Sequence, residues 1–220
     1  MSVPVLIMGP SGVGKTYSLR TMPKSSYGLV ECEKTMLPFR GGKSFARTKR
    51  FDELERIVTA YADHYPAVVV DDFGYCITDI YMRGSWGEEK YRDQYEVYKE
   101  IAGRVYRFVE FVNDLPDRRI VYLTMHTDVD AAGNVVPATV GKLLNEKVNL
   151  VGMFNVVVVA RLSGGEHQFV VANDGPAKSC GAFEDDVIPN DLLKLDTGLR
   201  DFMGWPTIQP EVATDEKPGD

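Results

Sequence analysis

Short apolar runs of strand length recur along the chain, and segments with helical spacing lie between them. Apolar runs bounded by glycine, proline or polar residues are typical of β-strands. We therefore predict strands over residues 3–8, 27–32, 67–70, 120–125, 155–160 and 167–172. The last two flank the turn sequence Ser163-Gly164-Gly165-Glu166 and are predicted to form a β-hairpin.

Two of the intervening segments carry an apolar stripe with the period of an α-helix. The first starts at Asp52 and Glu55, which have the spacing of a capping box, and closes before Pro66. Its stripe consists of Leu54, Ile57, Val58 and Tyr61. The second segment, residues 89–115, is the clearest helix, and its predicted apolar face consists of Tyr91, Tyr95, Tyr98, Ala102, Val105, Val109 and Val112.

The alternation of strands and helices predicts an α/β fold. We expect a mainly parallel central sheet with helices on both faces and a C-terminal β-hairpin. The final residues carry three prolines, several acids and few apolar side chains. The predicted organisation is therefore one core domain, residues 1–204, followed by an acidic, disordered tail, residues 205–220.

The composition and charge of the chain exclude several classes of protein. The chain has 220 residues, 44% of them hydrophobic, and a net charge of −7, which argues against extensive disorder and against bulk binding to duplex DNA. The three cysteines are too far apart in sequence for a disulfide framework or a metal-ligand spacing. A cytoplasmic protein without a membrane partner is predicted, because no secretory signal and no apolar run of about 20 residues is present.

The segment after the first strand matches the phosphate-loop pattern G-x-x-x-x-G-K-[ST]. Its glycines allow the backbone to wrap around a phosphate chain with successive N–H groups pointing inward. Lys15 is predicted to reach the β- and γ-phosphates, and the Thr16 hydroxyl to bind Mg²⁺. The predicted nucleotide-binding residues are Gly9, Pro10, Ser11, Gly12, Val13, Gly14, Lys15, Thr16 and Tyr17.

Acidic and polar side chains follow the other strands at the edge where an open α/β sheet binds ligands. Asp71 is predicted to be the Mg²⁺ ligand, acting through water, while Asp72 is either the metal ligand or a residue that positions water. Glu33 is predicted to be the catalytic base that activates water, with Glu31 as the alternative. His126, or Thr124, is predicted to sense the γ-phosphate.

Together these features resemble the RecA-like core of P-loop ATPases. The details are most similar to small phage nucleotide-binding proteins of the AAA-domain class, which include the Sak-type single-strand annealing proteins. The resemblance covers about residues 3–185. It rests on residues 9–16, 31–33, 68–72, 124–128, 133–138, 141–143 and 154–161.

The resemblance implies a RecA-like P-loop NTPase fold, ATP and Mg²⁺ as cofactors, and ATP hydrolysis. It also implies a homo-oligomer that anneals single-stranded DNA in phage recombination, with a single-strand-binding protein as a further partner. In this family a neighbouring subunit supplies a cation to the γ-phosphate. Lys178, in the region after the hairpin, is the first choice for this catalytic cation and Arg161 the second.

Three cationic segments are candidates for binding single-stranded DNA. The loop after the sensor strand, residues 128–147, is the one that the resemblance implies, although its only cations are Lys142 and Lys147 and it has no aromatic residue. A second candidate is the segment with Arg83, Trp86, Lys90, Tyr91 and Arg92. A third cluster consists of Lys43, Arg47, Lys49 and Arg50. We interpret it as an ordinary charged surface rather than a nucleic-acid site.

Two other functions stay open at this point. A small-molecule kinase would use the same loop to hold ATP, but the sequence has no arginine-rich lid, and Glu33 suits the activation of water better than that of an alcohol. A nucleotide-dependent scaffold for phage replication proteins would bind ATP without fast hydrolysis.

Overall fold

The computed structural model describes residues 1–34, 36–40, 46–85, 91–140 and 149–210. Ten strands lie within these residues: β1 Val3–Met8, β2 Tyr27–Glu31, β3 Ala46–Arg47, β4 Ala67–Asp71, β5 Ile120–Met125, β6 Thr127–Val129, β7 Val135–Pro137, β8 Val156–Ser163, β9 Glu166–Val170 and β10 Val187–Pro189. The described α-helices are α1 Phe51–His64, α2 Gly74–Ser85, α3 Gln94–Asn113 and α4 Leu192–Phe202. Two short 3₁₀ helices cover Thr16–Thr21 and Val151–Met153.

Eight of the strands form one sheet in the order β10-β9-β8-β1-β5-β4-β2-β3. The pairs from β8 to β3 are all parallel, whereas β9 and β10 are antiparallel additions at one edge. The strand β5 lies between β1 and β4, so the phosphate loop and Asp71 follow strands that are not direct neighbours. The predicted RecA-like α/β fold with a mainly parallel sheet is confirmed.

The sheet is buried on both faces because alternate residues of its strands pack into two separate cores. One core lies between the sheet and the helices α1, α2 and α3, and it includes Leu6, Val68 and Phe108. The other lies against the first 3₁₀ helix and α4, and it includes Leu19 and Leu195. The continuous apolar runs of β1 and β4 follow from this burial on two faces.

The predicted helix over residues 89–115 is confirmed in its middle but differs at its start. The helix α3 begins at Gln94, because the side chain of Asp93 accepts a hydrogen bond from the Glu96 backbone and caps the first turn. Val105, like Val109 and Val112, is fully buried as predicted, but Tyr95 is 56% exposed. The tyrosine spacing therefore predicts a longer apolar face than the helix buries in the structure.

The predicted capping box of the first helix does not form. The helix α1 starts at Phe51, one residue earlier, and its N-cap residue, Arg50, makes no capping hydrogen bond through its side chain to the described residues. Thr48 instead accepts a hydrogen bond from the Arg50 backbone and donates one to the Glu53 carboxylate. The predicted stripe still packs on the sheet, with Leu54 and Val58 fully buried.

Several elements were not predicted from the sequence. The helix α2 follows β4 directly, and α4 buries Leu192, Leu195 and Leu199. Strands β6 and β7 form a separate two-stranded antiparallel sheet after β5, in part of the segment predicted as a loop. The short edge strands β3 and β10 lack the length and alternation that would predict a strand from sequence alone.

The predicted β-hairpin is confirmed, with β8 longer and β9 shorter than predicted and a turn at Gly164 and Gly165. Ile208 is buried and Trp205 packs against the same core, so packing continues past residue 204, and the boundary of the core domain stays a prediction. Residues 211–220 of the predicted tail lie outside the described residues.

Two of the cysteines meet in the fold although they are far apart in sequence. The Sγ atoms of Cys32 and Cys76 are 3.4 Å apart in the core, and all three cysteines are free thiols. Within the described residues, no helix is both long and apolar enough to cross a membrane.

Candidate functional site

The phosphate loop connects β1 to the first 3₁₀ helix and depends on its glycines. Gly12 and Gly14 have φ angles of 78° and 97°, in the left-handed region that favours glycine. A Cβ atom at Gly9 would lie 2.5 Å from the carbonyl oxygen of Ala160 on β8. The loop can therefore form in this position only with glycine where the chain turns and where it touches β8.

Lys15 folds back over this loop. Its Nζ donates hydrogen bonds to the carbonyl oxygens of Gly9, at 2.8 Å, and of Pro10, at 2.9 Å. Burial lowers the pKa of Lys15, and the nearby carboxylates of Asp72 and Asp71 oppose that shift. These two hydrogen bonds hold the ammonium group of Lys15 against the backbone of the loop.

Thr16, Asp71 and Thr124 form a hydrogen-bonded cluster beside the loop, in which Asp71 and Thr124 are buried. The Thr16 hydroxyl is 2.9 Å from one carboxylate oxygen of Asp71 and 3.1 Å from the other. Thr124 donates from its hydroxyl to Asp71 at 2.6 Å and accepts from the backbone N–H of Asp72 at 2.8 Å. Two strand ends and the phosphate loop therefore converge on one carboxylate.

The pKa of Asp71 is raised to about 6, chiefly because burial disfavours its ionised form. Hydrogen bonds from Thr124 and Thr16 counteract the shift, while the neighbouring Asp72 adds to it. A buried carboxylate with a perturbed pKa at the edge of a cleft is typical of a functional site.

Asp72 and His126 complete the site next to Lys15. Asp72 has a φ angle of 59°, a strained conformation for a residue other than glycine. The His126 ring lies between two charged groups, with Nδ1 3.3 Å from Lys15 Nζ and Nε2 3.4 Å from Asp72 Oδ1. Burial, followed by the charge of Lys15, lowers the pKa of His126. An acceptor role toward Lys15 at Nδ1 requires the ring proton to be on Nε2, which faces Asp72.

These groups open into a cleft of about 660 Å³. Its lining residues are Ser11, Gly12, Gly14, Lys15, Thr16, Tyr17, Met36, Pro38, Asp72, Tyr75, His126 and His167. The structure thus brings together six of the nine residues predicted to bind nucleotide, with Asp72 and His126 facing the same space. Asp71 lies just behind the lining, in contact with Thr16.

The acids at the end of β2 lie differently. Glu31 is buried in the sheet beside Asp71 and forms a 2.9 Å ion pair with Arg47. Glu33 pairs with Lys49, and this hydrogen bond lowers its pKa. Neither acid is among the described residues that line the cleft, so the role of Glu33 as a base stays a prediction that requires its release from Lys49.

Lys178 lies away from the phosphate loop of its own chain. Its backbone pairs with Val157, at the start of β8, whereas the loop contacts Ala160 further along that strand. Arg161 forms an ion pair with Asp174 at 2.6 Å. Whether either cation serves a neighbouring subunit stays a prediction.

The candidate DNA-binding segments are only partly described. Arg83 is part of α2 and pairs with Asp79, while Arg92 pairs with Glu96. In the third cluster, Lys49 lies 5.5 Å from the Tyr75 ring in addition to its pair with Glu33. Lys43, Trp86, Lys90, Lys142 and Lys147 lie outside the described residues.

Sequence reasoning missed Tyr75, His167 and Asn190 as residues at or near the site. The Nδ1 atom of His167 donates to the carbonyl oxygen of Val13 at 2.9 Å, which ties the β-hairpin to the phosphate loop. No local pattern could have found this contact, because it depends on the pairing of β8 with β1. Tyr75 follows Asp72 closely enough to have been considered.

The donor set fits Mg²⁺ bound together with a nucleotide. A threonine hydroxyl and a carboxylate are hard oxygen donors, and Mg²⁺ in such sites keeps several waters and substrate phosphates as further ligands. Within the described residues, no group of three or more His, Cys, Asp or Glu side chains forms a self-sufficient metal site. Thr16 and Asp71 would hold the ion, and its charge would neutralise that of the phosphates.

No family model matches the chain, and no curated protein matches it. Among solved structures, the chain is similar to the ATPase DotB of Legionella pneumophila, with 11% identity and a TM-score of 0.33. The match covers 78% of this chain and 46% of DotB, so the chain corresponds to less than half of that protein. A likeness this distant carries no argument, and the assignment to the P-loop NTPase fold rests on the sheet order and the phosphate loop themselves.

Proposed function

We propose that the protein binds ATP with Mg²⁺ and hydrolyses it to ADP and phosphate. One observation carries this proposal: the Thr16 hydroxyl lies 2.9 Å from Asp71, next to a glycine-dependent phosphate loop that contains Lys15. This combination supplies a cradle for phosphates, a cation and a metal-binding pair within one cleft.

Asp72 and His126 are the residues best suited to orient the attacking water. Both line the cleft, and the proton on His126 Nε2 faces Asp72. The carboxylate of Asp72 is then directed by His126 and accepts a proton from water near the terminal phosphate. This role is one of the two alternatives that the sequence left for Asp72, and it competes with the predicted role of Glu33.

Binding and turnover test the proposal directly. Isothermal titration should show that Mg²⁺ strengthens ATP binding, and a phosphate-release assay should show turnover that depends on Mg²⁺. Lys194→Ala, which changes an exposed lysine on α4, is a matched control for Lys15→Ala. Nucleotide binding that is indifferent to Mg²⁺ and to Lys15→Ala would contradict the proposal.

A second candidate function is a nucleotide-dependent scaffold without fast hydrolysis. The ion pair between Glu33 and Lys49 favours the scaffold, because Lys49 engages the carboxylate that is predicted to activate water. Tight ATP binding without turnover, even in the presence of DNA, would support the scaffold over the ATPase. Transfer of phosphate to a small acceptor would instead support the kinase.

The narrower proposal is that this ATPase acts in the annealing of single-stranded DNA during phage recombination. It is supported by the resemblance to Sak-type proteins and by the position of β6 and β7, which follow His126 directly. An annealing assay with complementary labelled oligonucleotides tests it, together with ATPase stimulation by single-stranded DNA. No annealing and no stimulation, in a preparation that turns over ATP, would reject the DNA role while leaving the ATPase intact.

A further inference from the structure

A second chamber lies beside the phosphate cleft. It has a volume of about 540 Å³ and shares Tyr17 and His167 with the cleft. Its walls come from the first 3₁₀ helix, the start of β9 and the segment around β10. The lining residues are Tyr17, Arg20, Glu166, His167, Gln168, Val187, Ile188, Pro189 and Asn190.

The chemistry of this chamber does not suit a phosphate. Arg20 stacks on the Tyr17 ring at 4.1 Å and donates to the carbonyl oxygens of Tyr17 and Asn190. Glu166 contributes an opposing charge, and residues 187–189 contribute apolar surface. A planar aromatic and guanidinium surface beside apolar walls is suited to a flat heterocycle.

Asn190 lines the chamber, and its side-chain amide has no partner among the described residues. It is 2% exposed, and neither its Oδ1 nor its Nδ2 has a hydrogen-bond partner within the part of the chain that the structure describes. Buried amides without partners are rare in native proteins because each costs desolvation energy. The Asn190 side chain also lies against the phosphate loop, since a Cβ atom at Gly14 would be 3.1 Å from its Oδ1.

An asparagine amide offers one donor and one acceptor side by side. On its N6/N7 edge, adenine presents the complementary pair, an amine donor and a ring-nitrogen acceptor. The matching O6/N7 edge of guanine presents two acceptors. The hydrogen bond from His167 to Val13 joins the chamber wall to the phosphate loop.

We propose that this chamber, built by Tyr17, Arg20, His167 and Asn190, binds the base of the nucleotide and selects adenine. The inference rests on the proposed function, because it assigns the rest of a ligand whose phosphates occupy the cleft. The base stacks against the paired Tyr17 and Arg20, and the Asn190 amide receives its polar edge.

Titrations with ATP, GTP and inorganic tripolyphosphate, all with Mg²⁺, test this assignment. The wild-type protein should bind ATP roughly tenfold or more tightly than tripolyphosphate, since stacking of a base on an aromatic ring contributes a factor of that order. It should also prefer ATP to GTP. Tyr17→Ala should weaken ATP roughly tenfold and leave tripolyphosphate unchanged, while Tyr17→Phe restores ATP binding.

Asn190→Ala should remove the preference for ATP over GTP without changing the affinity for tripolyphosphate. Tyr106→Ala, which changes an exposed tyrosine on α3, is the matched control for the Tyr17 variants. If Asn190→Ala fails to fold, the Tyr17 series decides whether the chamber binds the base, and equal affinities of the wild type for ATP and GTP would overturn the selection of adenine.

Two different failures are distinguishable. Binding of ATP and tripolyphosphate with equal affinity, both dependent on Lys15, would overturn the base chamber and leave the phosphate site standing. The base chamber is likewise overturned if Tyr17→Ala weakens both ligands equally or neither. Failure of all three ligands to bind would overturn the chamber and the proposed function together.

Discussion

The ends of β4 and β2 lie side by side in the sheet, and both carry two acidic residues, yet their surroundings differ. At the end of β4, Asp71 contacts Thr16 and Thr124, while Asp72 lines the cleft beside His126. At the end of β2, Glu31 and Glu33 are each held by a cation from residues 46–49.

The difference shows that a place at the carboxyl edge of a sheet does not by itself make an acid available to a ligand. Arg47 and Lys49 lie next to the end of β2 once β3 aligns with that strand, and they pair with the nearest carboxylates. Asp71 and Asp72, after β4, lie beside the phosphate loop instead. This contrast supports our proposal that metal binding and water orientation belong to the end of β4.

The largest difference between the two strand ends is expected in the rate of ATP hydrolysis by variants at each end. In our proposal the Asp72 carboxylate accepts the proton of water, so Asp72→Asn should lower the rate of phosphate release roughly 100-fold. Glu33→Gln should change it less than about threefold on the same reasoning. The reverse order in a steady-state assay would return the role of base to Glu33.

Metal-dependent affinity should show the next largest difference. Asp71→Asn weakens the hold on Mg²⁺, so ATP affinity in the presence of Mg²⁺ should drop roughly 10–100-fold, towards the value measured in EDTA. Glu33→Gln serves as the comparison and should retain the full effect of Mg²⁺. Equal losses in the two variants, measured by isothermal titration, would show that the ends of β4 and β2 are equivalent for metal.

The raised pKa of Asp71 predicts a pH-dependent effect on stability without metal. Because the folded protein binds this proton more tightly than the unfolded chain, ionisation of Asp71 costs stability as the pH rises through about 6. Asp71→Asn should therefore increase the free energy of unfolding by on the order of 3 kcal/mol at pH 8, in EDTA, because a raised pKa of about 6 lies roughly two units above the ordinary value. The gain should vanish below about pH 4, where the wild-type carboxyl is protonated in both states.

Denaturant titrations at the two pH values measure this difference. A stabilisation of the same size at both would mean that the ionisation of Asp71 is not its origin.

The smallest effect is expected for the ion pair at the end of β2. Lys49→Ala should lower the free energy of unfolding by less than about 1 kcal/mol, because both side chains of the pair are partly exposed to solvent. The same change should raise the pKa of Glu33 towards its ordinary value, since the Lys49 hydrogen bond is the main cause of the shift. A carboxyl titration by NMR checks the pKa, and an unchanged value would contradict this cause.

Local pattern was sufficient for the parts of the molecule that local chemistry determines. The parallel strands, the phosphate loop and the position of Asp71 next to it all follow from short stretches with a strict pattern. The order of strands then brings Thr124 and His126 to the same edge, as the sequence indicates for polar residues at the end of β5.

Contacts between distant segments were beyond such reasoning. The pairing of Lys49 with Glu33 and the bond from His167 to the phosphate loop each join elements whose distance depends on the assembled sheet. The start of α3 was misplaced because the tyrosine spacing continued past the Asp93 cap, and a stripe does not reveal where burial ends. Short strands such as β3 and β10 form by pairing with β2 and β9, and their own sequences carry no strand pattern.

Binding of ATP with Mg²⁺ to the purified wild type and to Lys15→Ala, measured by isothermal titration, is the decisive comparison for the phosphate site. We expect Mg²⁺-dependent binding that Lys15→Ala weakens by roughly 10–100-fold, the contribution of charge-assisted hydrogen bonds to phosphate. Lys194→Ala should bind like the wild type. Equal affinity in Lys15→Ala and the wild type, or no binding in either, would contradict the assignment of this loop as a nucleotide site.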